Sequence, residues 1–355
     1  MSKEGFLQEY ASKSHRKEIL ILGFLILTLV ITFLRMPLGQ YNIAYGDALN
    51  VLYQNLFGDP SNIKFLDNYV VWNMYIPRTL ATLAIGAGLG VCGAAMQSMM
   101  KNPLADPYMT GISAGANFGI SLAVVTGFSI LPFLTQQMSL IGNAFVLSLI
   151  PAFFIVVFSA IRKSASSTFM ILVGVAVMYV FSAFSTMLNL LASPDQYAQV
   201  YSWSLGTLSS VTWDVLPYLY AAAVVAIVLF AFWESKLNLL AFDDSYSKSL
   251  GLRPKNARIV MIIVISLVTA TLVCFSGTIG FIGLVAPHVM RILIGSDNRY
   301  LIPASAVGGA FILVVADMIA VKITFTGLPV GVITGLIGGP LFIYLLIKQR
   351  NNNWS

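Results

Sequence analysis

Few side chains in this 355-residue chain could do chemistry inside an apolar environment. Asp317 and Asp214 lie near the ends of two long apolar runs, and His288 lies near the end of a third. Proton and ion relays in membranes are usually built from carboxylates and histidines within the helices, and no run carries such a residue at its centre. The sequence therefore argues against an ion-coupled carrier, although backbone carbonyls can also coordinate sodium.

The sequence also contains no pattern that is typical of a metal site or a redox site. Cys92 and Cys274 are far apart, and each lies in an apolar run, as small buried residues do. His15 and His288 have no second histidine or cysteine nearby in sequence, so we predict no metal site and no cofactor. The G-x-x-x-x-G-K-[ST] phosphate loop is also missing, so ATP hydrolysis would have to belong to another polypeptide. The chain is not expected to be an enzyme.

The elements that must position these side chains are membrane-spanning helices. Hydrophobic residues make up 58% of the chain and charged residues 10%, whereas soluble domains have about 45–50% and about 25%. A span needs about 20 mostly apolar residues, and ten runs approach this length. The runs are Ile19–Leu34, Ile76–Met99, Tyr108–Phe128, Leu140–Ile161, Thr168–Leu191, Leu216–Trp233, Ile259–Phe275, Ile279–Leu293, Leu301–Val321 and Leu328–Ile347. We predict an all-α polytopic membrane protein with one transmembrane domain over residues 1–355.

The third and eighth runs, which glycine or proline interrupts, should be short or tilted.

The basic residues predict the orientation in the membrane. With the N-terminus inside and the spans alternating, only Arg35, Lys64, Arg78 and Lys322 lie outside, and the other sixteen of the 20 lysines and arginines lie inside. This is the positive-inside bias of a cell-membrane protein with both termini in the cytoplasm. Residues 1–18 are then a cytoplasmic tail. Because the basic residues are scattered at the ends of apolar runs, we expect contact with membrane lipid and no binding of nucleic acid.

The largest inside loop, residues 234–258, is where a separate ATPase could dock. Within it, residues 243–251 are predicted to form a short polar helix, which Asp243 or Asp244 could cap and Gly251 could end. As a bare pattern, this stretch could equally be a solvated connector.

Small residues recur every four positions in two runs. Gly86 and Gly90 lie in the second run, and Gly331, Gly335 and Gly339 lie in the tenth. Such spacing lets helix backbones approach closely. The pattern is compatible with ordinary helix packing or with a face that lines a pore or forms a dimer.

Longer motifs are more specific. They are residues 76–81 (IPRTLA), 93–97 (GAAMQ), 102–107 (NPLADP), 280–288 (GFIGLVAPH) with Arg291, 295–299 (GSDNR) and 328–331 (LPVG). In this order and on this topology, the chain resembles the permease subunits of ATP-binding-cassette (ABC) importers for iron–siderophore, haem and cobalamin, the FecCD or BtuC-like family. The resemblance extends over about residues 19–348.

The resemblance implies a subunit that carries an iron chelate, haem or a corrinoid across the membrane. It implies a homodimer with two cytoplasmic ABC ATPase subunits and an external substrate-binding protein. A cobalamin-specific importer subunit is the alternative within this class, and an ion-coupled secondary carrier is the alternative outside it.

The resemblance also implies roles for individual residues. We call residues 243–251 the coupling segment, because they are similar to the ATPase-coupling segment of the family. Its candidate residues are Asp243, Asp244, Ser247, Leu250 and Gly251. The candidate gate residues on the cytoplasmic side are Asn102, Leu104, Ser167 and Thr168. Arg78 matches an outside arginine that meets a carboxylate of the binding protein, and Lys322 lies close to a second such position. The alternative for both cations is simple anchoring at lipid headgroups.

Overall fold

The computed structural model describes residues 3–41, 43–133, 135–162, 166–323 and 328–349, with the side chains of the first helix described from Ser14 onward. Some basic residues that were assigned to the inside, Lys163 and Arg350 among them, lie outside these ranges. The described chain is all-helical and contains no strand. This agrees with the predicted fold class.

Fifteen α-helices follow one another over the described ranges. They are α1 (Lys3–Arg35), α2 (Tyr45–Phe57), α3 (Phe65–Asn68), α4 (Ile76–Met100), α5 (Ile112–Thr126), α6 (Gln136–Ile161), α7 (Ser167–Leu190), α8 (Pro194–Ser204), α9 (Leu216–Phe232), α10 (Glu234–Ala241), α11 (Asp244–Ser249), α12 (Pro254–Ser276), α13 (Ile282–Ile294), α14 (Asn298–Ile323) and α15 (Val330–Gln349). A π-helical stretch, Tyr69–Tyr75, joins α3 to α4, and short 3₁₀ turns form at Pro60–Asn62 and Pro107–Thr110.

Each of the ten predicted runs overlaps one of these helices. By length and composition α1, α4, α6, α7, α12 and α14 can each cross a membrane, and α9 with α10, which meet at a 64° bend, can form a seventh span. The helices α5 and α13 are apolar but shorter, and the stretch Val330–Tyr344 of α15 is also apolar. The third and eighth runs are thus short, as expected, because α5 and α13 begin only after a turn or an irregular stretch. The total of ten spans stays a prediction.

The helix α4 lies at the centre of the core. Its most apolar 18-residue stretch is 83% buried, and α4 packs against α9, α13 and α14. The backbones of α4 and α14 approach closely: a Cβ on Gly86 would lie 2.4 Å from the Gly309 carbonyl oxygen, and a Cβ on Gly90 would lie 2.1 Å from that of Ser305. The small residues of the second run therefore serve helix packing within the chain.

Other apolar surfaces remain uncovered. Only 11% of the spanning part of α1 and 17% of that of α7 is buried within the chain. In α15, Gly331 approaches the backbone at Leu205, whereas a Cβ on Gly335 would meet open space. Apolar helix faces of this kind are suited to contact lipid or a second protomer.

Candidate coupling, gate and docking sites

The coupling segment contains the short polar helix that the sequence predicts. Asp243 caps α11, because its carboxylate accepts a hydrogen bond from the Ser245 backbone N–H at 3.2 Å. The Ser245 hydroxyl also donates to this carboxylate, and the two hydrogen bonds together hold the pKa of Asp243 below its usual range. Gly251, at φ +84°, follows the helix and donates its N–H to the Lys248 carbonyl at 2.9 Å. Of the two proposed caps, the structure therefore uses Asp243.

Ser247 fastens this helix to the preceding one. It is fully buried, and its hydroxyl donates to the carbonyl oxygens of Leu239 at 2.7 Å and Asp243 at 3.0 Å. Leu239 lies in α10, so this neutral hydrogen bond joins α10 to α11.

Asp244 carries the charged contacts of the coupling segment. Its two carboxylate oxygens accept hydrogen bonds from Nη1 and Nη2 of Arg258, at 2.8 and 2.7 Å, and Oδ1 also accepts one from Lys101 Nζ at 3.0 Å. The bonds from Arg258 and Lys101 hold the pKa of Asp244 far below its usual range. A bidentate arginine–carboxylate pair of this kind is strong and directional.

The opposite face of the coupling segment is apolar and uncovered. Tyr246 and Leu250 in the segment, and Phe242 directly before it, recur every four residues and are 53%, 54% and 57% exposed. The rings of Phe242 and Tyr246 meet edge to face, with centroids 5.4 Å apart. Sequence analysis singled out Leu250 but missed the two aromatic residues, although their spacing was a usable signal.

The first pair of gate residues forms a tight turn at the end of α4. Lys101 ends the helix in a left-handed conformation, at φ +54°. Asn102 then accepts two hydrogen bonds, from the Leu104 N–H to its side chain at 2.9 Å and from the Ala105 N–H to its carbonyl at 3.0 Å. Both Asn102 and Leu104 are half-buried. The turn follows directly on the residue that contacts Asp244.

The second pair, Ser167 and Thr168, begins α7. Ser166 caps this helix, while Ser167 is half-buried and Thr168 exposed. The helix packs on the turn after the first pair, since a Cβ on Gly174 would lie 2.4 Å from the Met109 carbonyl oxygen. The two pairs thus belong to elements that touch, but no hydrogen bond between the pairs occurs in the described chain. Their role as a gate stays a prediction.

Arg78, the first docking candidate, is engaged within the chain. Its Nε and Nη2 donate to Oδ1 of Asp317 at 2.9 and 2.7 Å. The other oxygen of Asp317 accepts a hydrogen bond from Nε of Arg35 at 2.8 Å, and Nη2 of Arg35 lies 2.7 Å from the same oxygen as an ion-pair contact. The side chains of Arg35 and Asp317 are 0% exposed and that of Arg78 is 14% exposed. Arg78 lies in the first turn of α4, but its side chain is mostly buried and paired with Asp317, and its role in docking stays a prediction.

Lys322, the second docking candidate, lies in the last turn of α14 and is exposed. Among the described residues it forms no salt bridge. It is therefore a cation on the same helix as Asp317, but one that an external partner could approach more easily than Arg78.

Buried titratable groups elsewhere do not assemble a reactive site. His288 is buried against the ring of Phe342, and Cys92 and Cys274 are both buried and unpaired. Within the described ranges, no group of three histidine, cysteine or acidic side chains could hold a metal ion.

Comparison with known proteins identifies the family to which this chain belongs. A model of the FecCD transport family matches residues 26–348. The chain belongs to the FecCD transport family. It is 34% identical to the hemin transport system permease protein HmuU of Yersinia pestis, over 93% of this chain and 96% of that protein. It is 32% identical to the vitamin B12 import system permease protein BtuC of Salmonella typhi, over 96% and 98%.

A solved structure of an inward-facing metal-chelate type ABC transporter has the same fold as this FecCD permease. The TM-score is 0.80 at 25% identity, covering 93% of this chain and 99% of that one. The permease is therefore a multi-pass transport subunit of an ABC importer, and not the catalyst of ATP hydrolysis. Membership of the family implies ATPase partners and a substrate-binding protein. The ion-coupled carrier considered from the sequence is not supported.

Proposed function

We propose that this FecCD permease imports an iron chelate, haem or a corrinoid across the cell membrane. The observation that carries the proposal is the similarity, over nearly the whole chain, to both a hemin permease and a vitamin B12 permease. Hemin and vitamin B12 are metal complexes of large macrocycles, so the proposed substrate class is a large metal chelate. A cobalamin-specific subunit is the second candidate, which the similarity to BtuC favours.

The permease acts as a homodimer, with residues 1–355 forming one transmembrane domain in each protomer and both termini in the cytoplasm. Two observations support this arrangement: the family relationship and the uncovered face of α15 at Gly335. The pathway works by alternating access at the dimer axis. On the cytoplasmic side it closes at Asn102, Leu104, Ser167 and Thr168.

The energy comes from two cytoplasmic ABC ATPases that dock on the coupling segment. The apolar face formed by Phe242, Tyr246 and Leu250 supports this role, because exposed apolar side chains in a polar loop mark a protein-binding surface. Asp243, Ser247 and Gly251 give the segment its shape. Asp244 connects it to the rest of the permease.

Reconstitution tests the function directly. The permease, its ATPase and its binding protein are placed in liposomes, and ATP-driven uptake of haem, a ferric siderophore and cobalamin is measured. We expect uptake of one of these chelates, dependent on ATP and on the binding protein, and no ATP hydrolysis by the permease alone. Uptake of none of them, or robust hydrolysis by the isolated permease, would contradict the proposal.

Two variants separate the coupling segment from the rest of the loop. Leu250→Glu places a charge on the apolar face and should abolish ATPase binding or uptake while the permease stays folded, because Leu250 is exposed. Asn256→Glu is the matched control, since Asn256 is also exposed but lies in the first turn of α12, where an acidic residue is tolerated. Equal uptake in both variants would exclude the coupling segment as the docking surface.

A further inference from the structure

We propose that Arg258 is a positioning residue for energy coupling, which transmits movement of the coupling segment to the cytoplasmic gate. The inference rests on the proposed function, since it takes the coupling segment as the docking site of the ATPase. It adds a residue outside that segment, and it states how the two sites are mechanically connected.

A single guanidinium group joins two distant parts of the chain. Arg258 is 1% exposed. Its Nη1 and Nη2 donate to Asp244 in α11, as described above, and its Nε donates to the Met99 carbonyl oxygen in α4 at 2.9 Å. All of these bonds are charge-assisted, and the group is planar and rigid, so a displacement at one end is passed to the other.

Arg258 binds α4 at its C-terminal end, directly before the gate turn. Met99 lies in the last turn of the helix, where carbonyl groups lack an intrahelical partner and attract cations. Lys101 ends the same helix and donates its own hydrogen bond to Asp244. The gate turn begins at Asn102. Asp244 of the coupling segment is therefore connected to the end of α4 in two ways, to Met99 through Arg258 and to Lys101 directly. The gate begins at the next residue, Asn102.

Arg258 is not required to form α11 itself. The helix is capped by Asp243 and fastened to α10 by the Ser247 hydroxyl, and neither contact involves Arg258. The specific effect of Arg258 is the connection between α11 and α4. A clamp that serves stability alone would lower the amount of folded complex when it is removed, but would leave the number of substrates moved per ATP unchanged.

The decisive measurement is substrate imported per ATP hydrolysed, in the full complex in liposomes. Mutations along a coupling connection typically change the coupling free energy by amounts that correspond to about two- to thirtyfold. We expect Arg258→Gln to lower the ratio by this factor while ATPase binding and hydrolysis persist. Asp244→Asn should do the same. The double variant should import no less substrate per ATP than the more impaired of the two single variants, because both substitutions remove the same connection. Arg258→Lys should fall between wild type and Arg258→Gln.

Two further variants serve as comparisons. Lys101→Gln should have a smaller effect than Arg258→Gln, because the pair of Lys101 and Asp244 is partly exposed and screened by solvent. Arg253→Gln is the matched control and should leave the ratio unchanged, since Arg253 is exposed, precedes α12 and forms no salt bridge with a described residue.

The reactivity of a cysteine introduced at the gate measures the conformation of the gate directly. The native cysteines, Cys92 and Cys274, are buried, so Leu104→Cys gives a site that a thiol reagent can report against a low background. We expect ATP to change its reactivity in an otherwise wild-type complex and to change it much less with Arg258→Gln. If Arg258→Gln does not fold, Asp244→Asn carries the same test.

The outcomes distinguish the two proposals. A wild-type complex that shows no ATP-dependent uptake would overturn the proposed function and this connection with it. A coupled wild type, together with an unchanged substrate-to-ATP ratio and an unchanged Leu104→Cys response in the Arg258→Gln complex, would overturn the role of Arg258 alone.

Discussion

Arg78 donates two hydrogen bonds, from Nε and Nη2, to the same carboxylate oxygen of Asp317. The second oxygen of Asp317 is bonded to Arg35, so one buried carboxylate holds two cations and joins α1, α4 and α14. The cluster has a net charge of +1. A carboxylate of an external binding protein would therefore meet an incompletely neutralised pair of arginines, and it would reach Arg78 in competition with Asp317.

Reversal of charge on the outer side should weaken docking of the binding protein. Arg78→Glu should lower the affinity strongly, and Lys322→Glu should act in the same direction but less, because a lysine cannot hold a carboxylate bidentately. Surface plasmon resonance at low and high salt measures the affinity of the permease for the binding protein. The affinity of the wild type should fall as the ionic strength rises. Lys64→Glu is the control, because Lys64 is an exposed cation on another element that we also predict to lie outside. Unchanged affinity of folded Arg78→Glu in low salt would leave only anchoring at lipid headgroups.

The buried carboxylate itself should be important for stability. Asp317→Asn leaves Arg35 buried without a counter-charge, and breaking a buried ion pair in this way typically costs about 3–5 kcal/mol. Thermal unfolding of the purified permease in detergent should show a clear drop in melting temperature. Asp214→Asn is the control and should change little, because Asp214 is exposed. Equal melting temperatures for the two variants would show that the arginines find other partners.

The cluster of Arg35, Arg78 and Asp317 is a feature that the sequence alone did not predict. The apolar runs, the polar helix of the coupling segment and its Asp243 cap depend on neighbouring residues, so local patterns predicted them. Arg78 and Asp317 are 239 residues apart, and Arg258 and Met99 are 159 residues apart. Spacing along the chain does not say which faces of distant helices meet. The same limit left the packing and dimer interpretations of the small residues open until Gly86 and Gly90 could be placed against α14.

The close approach of α4 and α14 predicts intolerance of a single methyl group. A Cβ on Gly90 would lie 2.1 Å from the Ser305 carbonyl oxygen, which is backbone and cannot rotate away. Gly90→Ala should force the helices apart, at a cost of about 1–3 kcal/mol as in other overpacked cores, and should lower the melting temperature. Gly23→Ala, in a helix where the added methyl meets open space, should be at least as stable as wild type. A Gly90→Ala protein with the wild-type melting temperature would contradict the geometry.

Orientation in the membrane can be tested with introduced cysteines, since both native cysteines are buried. In intact cells, a membrane-impermeant thiol reagent should label Asn50→Cys, an exposed site in α2 that we predict to lie outside. It should label Ser249→Cys in the coupling segment and Asn351→Cys, which lies outside the described residues, only after the membrane is opened. The positive-inside distribution of basic residues is the reason for this expectation. Labelling of all three sites in intact cells would exclude the predicted topology.

Asp106 should make stability depend on pH. It lies in the turn between α4 and α5, where burial raises its pKa to about 6. One carboxylate oxygen accepts the Tyr108 N–H at 2.8 Å, and the other has no hydrogen-bond partner in the described chain. Because the folded pKa is higher than the unfolded value near 3.9, the folded state binds the proton more tightly. The contribution of Asp106 to stability should therefore be greatest below about pH 4, fall as the pH rises to about 6, and stay constant above, with a total loss of about 3 kcal/mol from this group.

The isosteric change Asp106→Asn isolates this effect, because the amide oxygen can still accept the Tyr108 N–H while the group carries no charge. Asp106→Asn should match the wild-type melting temperature near pH 4 and exceed it at pH 7.5, with most of the difference developing between these values. Asp243→Asn is the comparison on the exposed surface. There the folded pKa is lowered, so the sign is opposite: the native carboxylate stabilises the protein above its unfolded pKa, and its replacement should not raise the melting temperature at pH 7.5. Parallel pH profiles for wild type and Asp106→Asn would show that Asp106 is ionised in the folded protein without cost.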